Sequence, residues 1–204
     1  MRNAIFLTAA LAVSPAMAQT PTPTPTPTQC DLLAGHVEDP DRVGPGAKKV
    51  ADNKVAIAAC GKDLAADSGN RRLQYQLARV LFYDDQVDRA IRMLGSAADA
   101  GSQQAQFVLG YITDEGHRGV KKDVCKVEDL WVRSARQGRS AALVSYPHHV
   151  MGGNFTGCRQ QANDDEVPRF LEQAKQQASG FEYYGELLVA QLTKDFAAYR
   201  AAKK

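Results

Sequence analysis

The chain of 204 residues lacks the short motifs by which many enzymes and metalloproteins are recognised. It contains no G-x-S-x-G, no H-E-x-x-H, no phosphate-binding P-loop and no glycine-rich dinucleotide fingerprint. Its four cysteines form no C-x-x-C pair, which disfavours a zinc site or a thiol-redox centre. We therefore expect no catalytic residues, no metal and no cofactor.

The sequence also lacks an excess of either charge and a long apolar run. Lys and Arg number 25 against 23 Asp and Glu, whereas nucleic-acid-binding proteins usually carry a basic excess on one face. No segment approaches the roughly 20 apolar residues that a transmembrane helix requires. We expect neither a nucleic-acid partner nor a membrane-embedded part.

The first 18 residues have the pattern of a secretory signal peptide. Arg2 precedes the apolar stretch from Ala4 to Val13, and Ala16-Met17-Ala18 is a small-x-small cleavage site. This pattern predicts cleavage after Ala18 and a mature protein that is periplasmic or secreted. An even number of cysteines in an exported chain favours disulfides, for which three pairings are possible.

Residues 19–29 predict a linker rather than part of the fold. The repeat TPTPTPTPT places a proline at every second position, which fixes φ and removes the N–H group needed in a helix or a central strand. We expect an extended polyproline-type spacer. It is interpreted either as a stalk or as a solvated tail that keeps the cleavage site accessible.

Beyond Val50 the apolar residues recur at intervals of three and four, which predicts short helices. The pattern also repeats along the chain. Ala56-Ile57 returns at Ala90-Ile91 after 34 residues, and Val127 follows Ala90 by 37. These intervals indicate a two-helix unit that gains three residues in its second copy.

The inserted residues explain an unusual run of glycines. In Gly116-x-x-Gly119-Val120 we predict a widened turn, in which the glycines adopt positive φ and Val120 returns to the core. Gly110, inside the preceding helix, costs about 1 kcal/mol of helix propensity. We expect close packing of a neighbouring helix to offset that cost.

One unit closely resembles a known family. The stretch AQFVLGYITDEGHRGVKKDVCKVEDLWVRSARQG is similar to a Sel1-like repeat, a relative of the tetratricopeptide repeat. The family pattern is matched at the positions Ala105, Leu109, Gly110, Gly116, Gly119, Val120, Asp123, Trp131, Ala135 and Gly138. Residues 71–101 resemble a plain tetratricopeptide repeat, and residues 139–180 a degenerate unit.

The resemblance implies an all-α fold, a short right-handed α-solenoid of antiparallel helix pairs. We expect an irregular segment at residues 30–55, helical repeats at 56–180 and a capping helix at 181–204. Cys125 and Cys158 then start the second helices of adjacent units, while Cys30 lies in a segment that packs over Cys60. The predicted disulfides are Cys30–Cys60 and Cys125–Cys158.

Two polar stretches are candidate sites with simpler explanations. His148 and His149 neighbour Pro147, which predicts a helix that kinks or ends near Tyr146, but no carboxylate stands at a metal-ligand spacing. Asp164 to Glu166 are interpreted as the acidic first turn of a helix rather than a catalytic pair.

The remaining candidate is a surface. The resemblance implies that the first helix of each unit lines a concave face, with Tyr75 and Phe107 either on it or in the core. The predicted partner-binding residues are Arg72, Arg79, Gln104, Tyr111, Glu115 and His148. We expect a non-enzymatic adaptor or regulator that binds another protein, in the periplasm or in the periplasmic part of a membrane protein. The alternative is a cell-wall-related hydrolase or a binder of penicillin-type compounds.

Overall fold

A computed structural model describes residues 25–159, 162, 165–178 and 183–202, so the predicted signal peptide and residues 19–24 of the linker lie outside the described residues. The described part is helical and contains no strand. Its helices are α1 (Gln29–Ala34), α2 (Asn53–Ala66), α3 (Arg71–Tyr83), α4 (Val87–Asp99), α5 (Gln103–Glu115), α6 (Val124–Arg136), α7 (Ser140–Met151), α8 (Glu166–Ala178) and α9 (Tyr183–Ala202).

Consecutive helices pack against each other in antiparallel pairs, which confirms the predicted α-solenoid. The same tight turn joins α4 to α5 and α6 to α7. Gly101 and Gly138 adopt φ values of 89° and 87°, and the next residue donates its N–H back to a carbonyl five positions earlier. This arrangement ends one helix and starts the next within three residues, so successive units stack closely.

The turn between α5 and α6 has the predicted form. Gly116 adopts a φ value of 67° just before a short 3-10 turn at His117–Gly119, and Gly119, the last residue of that turn, adopts 80°. Val120 packs against the buried cluster that includes Leu109 and Leu130. The three additional residues are therefore accommodated by a left-handed loop.

Gly110 lies where the Trp131 side chain of α6 packs against α5. A Cβ atom at this position would collide with the indole ring of Trp131. Trp131 is buried and donates its Nε1–H to the carbonyl of Phe107 at 3.1 Å. The absence of a side chain at Gly110 thus gives the indole room to lie against the backbone of α5. This is the close packing of a neighbouring helix that the sequence predicted at Gly110.

Two local expectations differ from the structure. The helix α7 does not end at Tyr146 but continues through Pro147 to Met151. Tyr146 and Pro147 are both buried, and the Tyr146 ring contacts Phe155 and Phe170, so tertiary packing offsets the hydrogen bond that proline cannot make. The segment expected to be irregular contains α1, which Thr28 and Asp31 close with a capping box.

The cysteines pair as predicted. Cys30–Cys60 joins α1 to α2, and Cys125–Cys158 joins the first turn of α6 to the segment after α7. The two bonds differ in their accessibility to solvent. Cys30 and Cys60 are completely buried, whereas Cys125 is exposed and borders a cavity of about 510 Å³ with Cys158.

We expect mild reduction of the native protein to open Cys125–Cys158 while Cys30–Cys60 stays closed, because a thiolate reagent must reach a sulfur atom to attack it. Timed alkylation followed by peptide mass spectrometry measures the two rates. Labelling of Cys30 and Cys60 as fast as Cys125 and Cys158 would contradict this account of their burial.

Candidate functional site

Residues 35–49, most of the connection between α1 and α2, form a strap that lies across α3. Arg79 holds it there, with only 5% of the residue exposed. Its guanidinium donates to four backbone carbonyls at 2.8–3.0 Å, and Nε donates to the hydroxyl of Tyr83 at 3.5 Å. Those carbonyls belong to Ala34, Gly35, Ala47 and Lys48. All five N–H donors of Arg79 are thereby used within the chain.

A second arginine of α3 fixes α1, the helix that precedes the strap. Arg72 makes a two-point ion pair with Asp31, which is buried and also accepts from the Gln76 amide at 2.9 Å. Burial alone would raise the pKa of Asp31. The hydrogen bonds from Gln76 and Thr28 and the charge of Arg72 outweigh it and hold that pKa below its usual value. The carboxylate therefore stays ionised and anchors α1 to α3.

The third predicted residue that faces inward is Gln104. Its amide donates to the Tyr75 hydroxyl at 3.1 Å and accepts from Nε of Arg139 at 2.5 Å. Arg139 reaches the strap as well, because its other nitrogen donates to Glu38 at 2.8 Å. This chain of hydrogen bonds links α3, α5, the start of α7 and the strap. Tyr75 is a core residue, and Phe107 is partly buried against Trp131.

The other three predicted residues lie on the surface. Tyr111, Glu115 and His148 are exposed, and the Tyr111 ring packs against His117 with the ring centres 5.0 Å apart. The six predicted residues therefore separate into two sets. Arg72, Arg79 and Gln104 hold the chain together, while Tyr111, Glu115 and His148 are accessible to a partner.

His149, the second histidine after Pro147, makes several specific contacts. Its Nε2 lies 3.1 Å from a carboxylate oxygen of Asp114, and its Nδ1 lies 3.1 Å from the Ser145 carbonyl. The ring also meets Trp131 edge-on and stacks on Phe155. These contacts fix α7 against α5 and α6. Among the described residues no three His, Cys, Asp or Glu side chains converge as a metal site would require.

An open groove of about 740 Å³ lies beside the strap. The strap forms one wall, α9 forms the other, and the first two turns of α7 with the end of α8 line the rest. Its apolar lining includes Val144, Leu188 and Val189, and Leu188 is 52% exposed. Tyr184 also lines the groove and is largely exposed. Large apolar side chains grouped at a concave surface are typical of a binding site.

The strap contains a buried carboxyl group, Asp39. It is 0% exposed; one oxygen accepts from the Asp41 N–H at 3.0 Å, and the other has no hydrogen-bond partner within the described chain. Burial, with a smaller effect of the Asp41 charge, raises the pKa of Asp39 to about 6, although the Asp41 N–H, Arg139 and Arg72 act in the opposite direction. The folded protein therefore binds a proton here that the unfolded chain releases near pH 4.

A raised pKa makes the contribution of Asp39 to stability favourable at low pH and unfavourable at high pH. The free energy of unfolding falls as the pH rises from about 4 to about 6. The difference between the unfolded-state pKa of 3.8 and the folded-state pKa of about 6 corresponds to a loss of roughly 3 kcal/mol. Asp39→Asn should remove that loss and raise the free energy of unfolding at pH 7.5, with little effect at pH 4.

Urea unfolding at both pH values measures the effect, and Asp99→Asn, at a side chain that is 81% exposed, is the control. Equal gains for Asp39→Asn at the two pH values would show that ionisation is not the cause.

Solved structures of other proteins resemble this arrangement of paired helices. A Sel1 repeat protein from Oxalobacter formigenes is 28% identical in sequence, with a TM-score of 0.50 over 66% of this chain and 96% of that chain. The chain has the fold of Sel1-like repeat proteins. Two further structures are similar: c5321, a protective antigen present in uropathogenic Escherichia coli strains that displays the same repeat fold, and MamA.

The c5321 structure is 24% identical, with a TM-score of 0.48 over 85% of this chain and 38% of its own chain. MamA is 17% identical, with a TM-score of 0.43 over 74% and 91% of the two chains. No protein-family model and no curated protein sequence matches the chain.

In this fold the molecule consists of the units α3–α4, α5–α6 and α7–α8, preceded by α1, the strap and α2 and followed by α9. The groove was missed at the sequence level because its walls lie outside the repeats. One signal was present: Tyr184, Leu187 and Leu188 extend the apolar surface of α9 beyond the buried Val189, Leu192 and Phe196. A helix that only caps a solenoid needs a single apolar stripe.

Proposed function

We propose that this protein is an exported adaptor, without catalytic activity of its own, that binds a segment of another protein in the groove beside the strap. The observation that carries the proposal is the groove itself, since exposed leucine and tyrosine side chains meet there at a concave surface. The partner is a periplasmic protein or the periplasmic part of a membrane protein.

Export is supported by two independent features. The first 18 residues have the composition of a signal peptide, and all four cysteines are in disulfides, which persist mainly in oxidising compartments. No helix among the described residues has both the length and the apolar character needed to cross a bilayer. We place the mature protein in the periplasm or outside the cell.

The predicted contact residues enter this proposal in two ways. Tyr111, Glu115 and His148 extend the binding surface along the first helices of the units, where they are exposed. Arg72, Arg79 and Gln104 act indirectly, because they position the strap and the start of α7 that line the groove. Loss of either set should weaken partner binding, the second set through the shape of the groove.

Capture of the partner tests the proposal. Tagged mature protein, recovered from its own cell envelope and measured by quantitative mass spectrometry, should enrich one protein that Leu188→Asp loses. Leu188 is 52% exposed, so an aspartate there leaves the core intact while it places a charge in the groove.

Val55→Asp is the matched control, because Val55 is 54% exposed and lies on α2, outside the groove. Equal capture by both variants and the unaltered protein, with all three folded, would refute the groove as the binding site.

A further inference from the structure

We infer that the segment bound in the groove is a short peptide that places an acidic side chain beside a large apolar one. This inference rests on the proposed function and specifies the chemistry of the partner. It follows from the unequal distribution of apolar and charged residues around the groove.

The apolar part of the groove lies between α7 and α9. Val144 and Ala141 come from α7, and Leu188 and Val189 come from α9. The described residues of α8 add Ala174 and Ala178. Small and branched side chains of this kind favour an aliphatic or aromatic side chain of the partner. The volume lies within the range of about 300–1,000 Å³ found for ligand sites, which suits a short segment rather than a folded domain.

The charge of the groove comes from the strap. Its lining contains Arg42, Lys48, Arg139 and one acid, Glu38. Glu38 is already paired with Arg139, so this pair adds little net charge. Arg42 donates to the Val37 carbonyl, and no described carboxylate lies within ion-pair distance of Arg42 or Lys48. Both are exposed, and they leave this side of the groove positive.

An acidic partner complements these two cations, while a basic one would meet repulsion. Arg79 also shows that this face of the repeats binds main-chain carbonyl groups, because it holds those at the two adjacent ends of the strap. The partner segment would lie beside the strap, with its carboxylate toward Arg42 and Lys48 and its apolar side chain toward Val144 and Leu188.

A displayed library of random 12-residue peptides, selected against the mature chain at low salt, provides the probe. Selected peptides should combine Asp or Glu with a large apolar residue. For a synthetic peptide of that kind, Glu→Gln should weaken binding about fivefold in fluorescence anisotropy, and the double variant Arg42→Glu/Lys48→Glu should weaken it at least as much. Lys54→Glu, an exposed site on α2, is the matched control and should have no effect.

The outcomes separate this inference from the proposed function. Peptides that Leu188→Asp displaces, but that tolerate Glu→Gln and the double variant, would overturn the acidic partner and leave the groove as a binding site. If Leu188→Asp changes neither peptide binding nor partner capture, both the acidic-peptide inference and the proposed function of the groove are overturned. A dimer in light scattering that Leu188→Asp dissociates would assign the groove to a second copy of the chain and overturn the inference.

Discussion

Arg79→Ala should release the strap from α3 and lower the free energy of unfolding by about 3 kcal/mol or more, because each hydrogen bond to a charged group contributes about 1.5–3 kcal/mol. Arg79 is buried, and its loss removes a donor from four backbone carbonyls, of which, within the described chain, only that of Gly35 also accepts from a backbone N–H, that of Ala47. Hydrogen exchange should rise selectively over residues 35–49, and urea unfolding measures the total loss. Cys30–Cys60 should remain closed, since it ties α1 to α2 independently of the strap.

Two further variants control this result. Arg79→Lys keeps the positive charge but has three donors in place of five, so it should recover only part of the stability. Arg92→Ala removes an exposed arginine from α4 and should change stability by no more than about 0.5 kcal/mol. Exchange in the strap that stays as slow in Arg79→Ala as in Arg92→Ala would mean that Arg79 does not hold it.

Gly110→Ala should destabilise the protein by about 1–3 kcal/mol, although alanine is the better helix former. The added methyl group would collide with the Trp131 indole, which is fixed by its hydrogen bond to Phe107. Tryptophan fluorescence should report the displacement of the ring, and thermal or urea unfolding the loss of stability.

Gly95→Ala is the matched control, because Gly95 lies inside α4 with open space around its missing side chain. It should stabilise the protein by about 0.5–1 kcal/mol through helix propensity alone. If the two variants shift stability in the same direction, close packing is not the reason for Gly110.

The sequence was most informative at packing positions that recur in each repeat unit. The interval between Ala56, Ala90 and Val127 predicted the helix pairs, and the glycine at position 110 predicted a close helix contact that the structure shows. The disulfide pairing followed in the same way, because the repeat placed Cys125 and Cys158 on adjacent units. These contacts form between adjacent repeat units, so the residues that make them recur at regular intervals in the sequence.

Arg79 shows where this reasoning stops. Its position in α3 predicted an accessible surface, but a segment about 30–45 residues earlier, outside the repeats, covers it. No local pattern encodes that contact. Pro147 is a related case, because a rule about proline was outweighed by the burial of Tyr146 and Pro147. The groove could not be predicted for the same reason as the contact of Arg79, since its two walls, the strap and α9, belong to no repeat unit.

The central claim is that the groove between the strap and α9 binds another protein. A photoreactive phenylalanine analogue at position 188 in the living cell tests it most directly, with the same analogue at position 55 as the reference. We predict one discrete crosslinked species on illumination from position 188 and none from position 55. Absence of a crosslink at position 188 in the folded, exported protein, or equal crosslinking from both positions, would contradict the account.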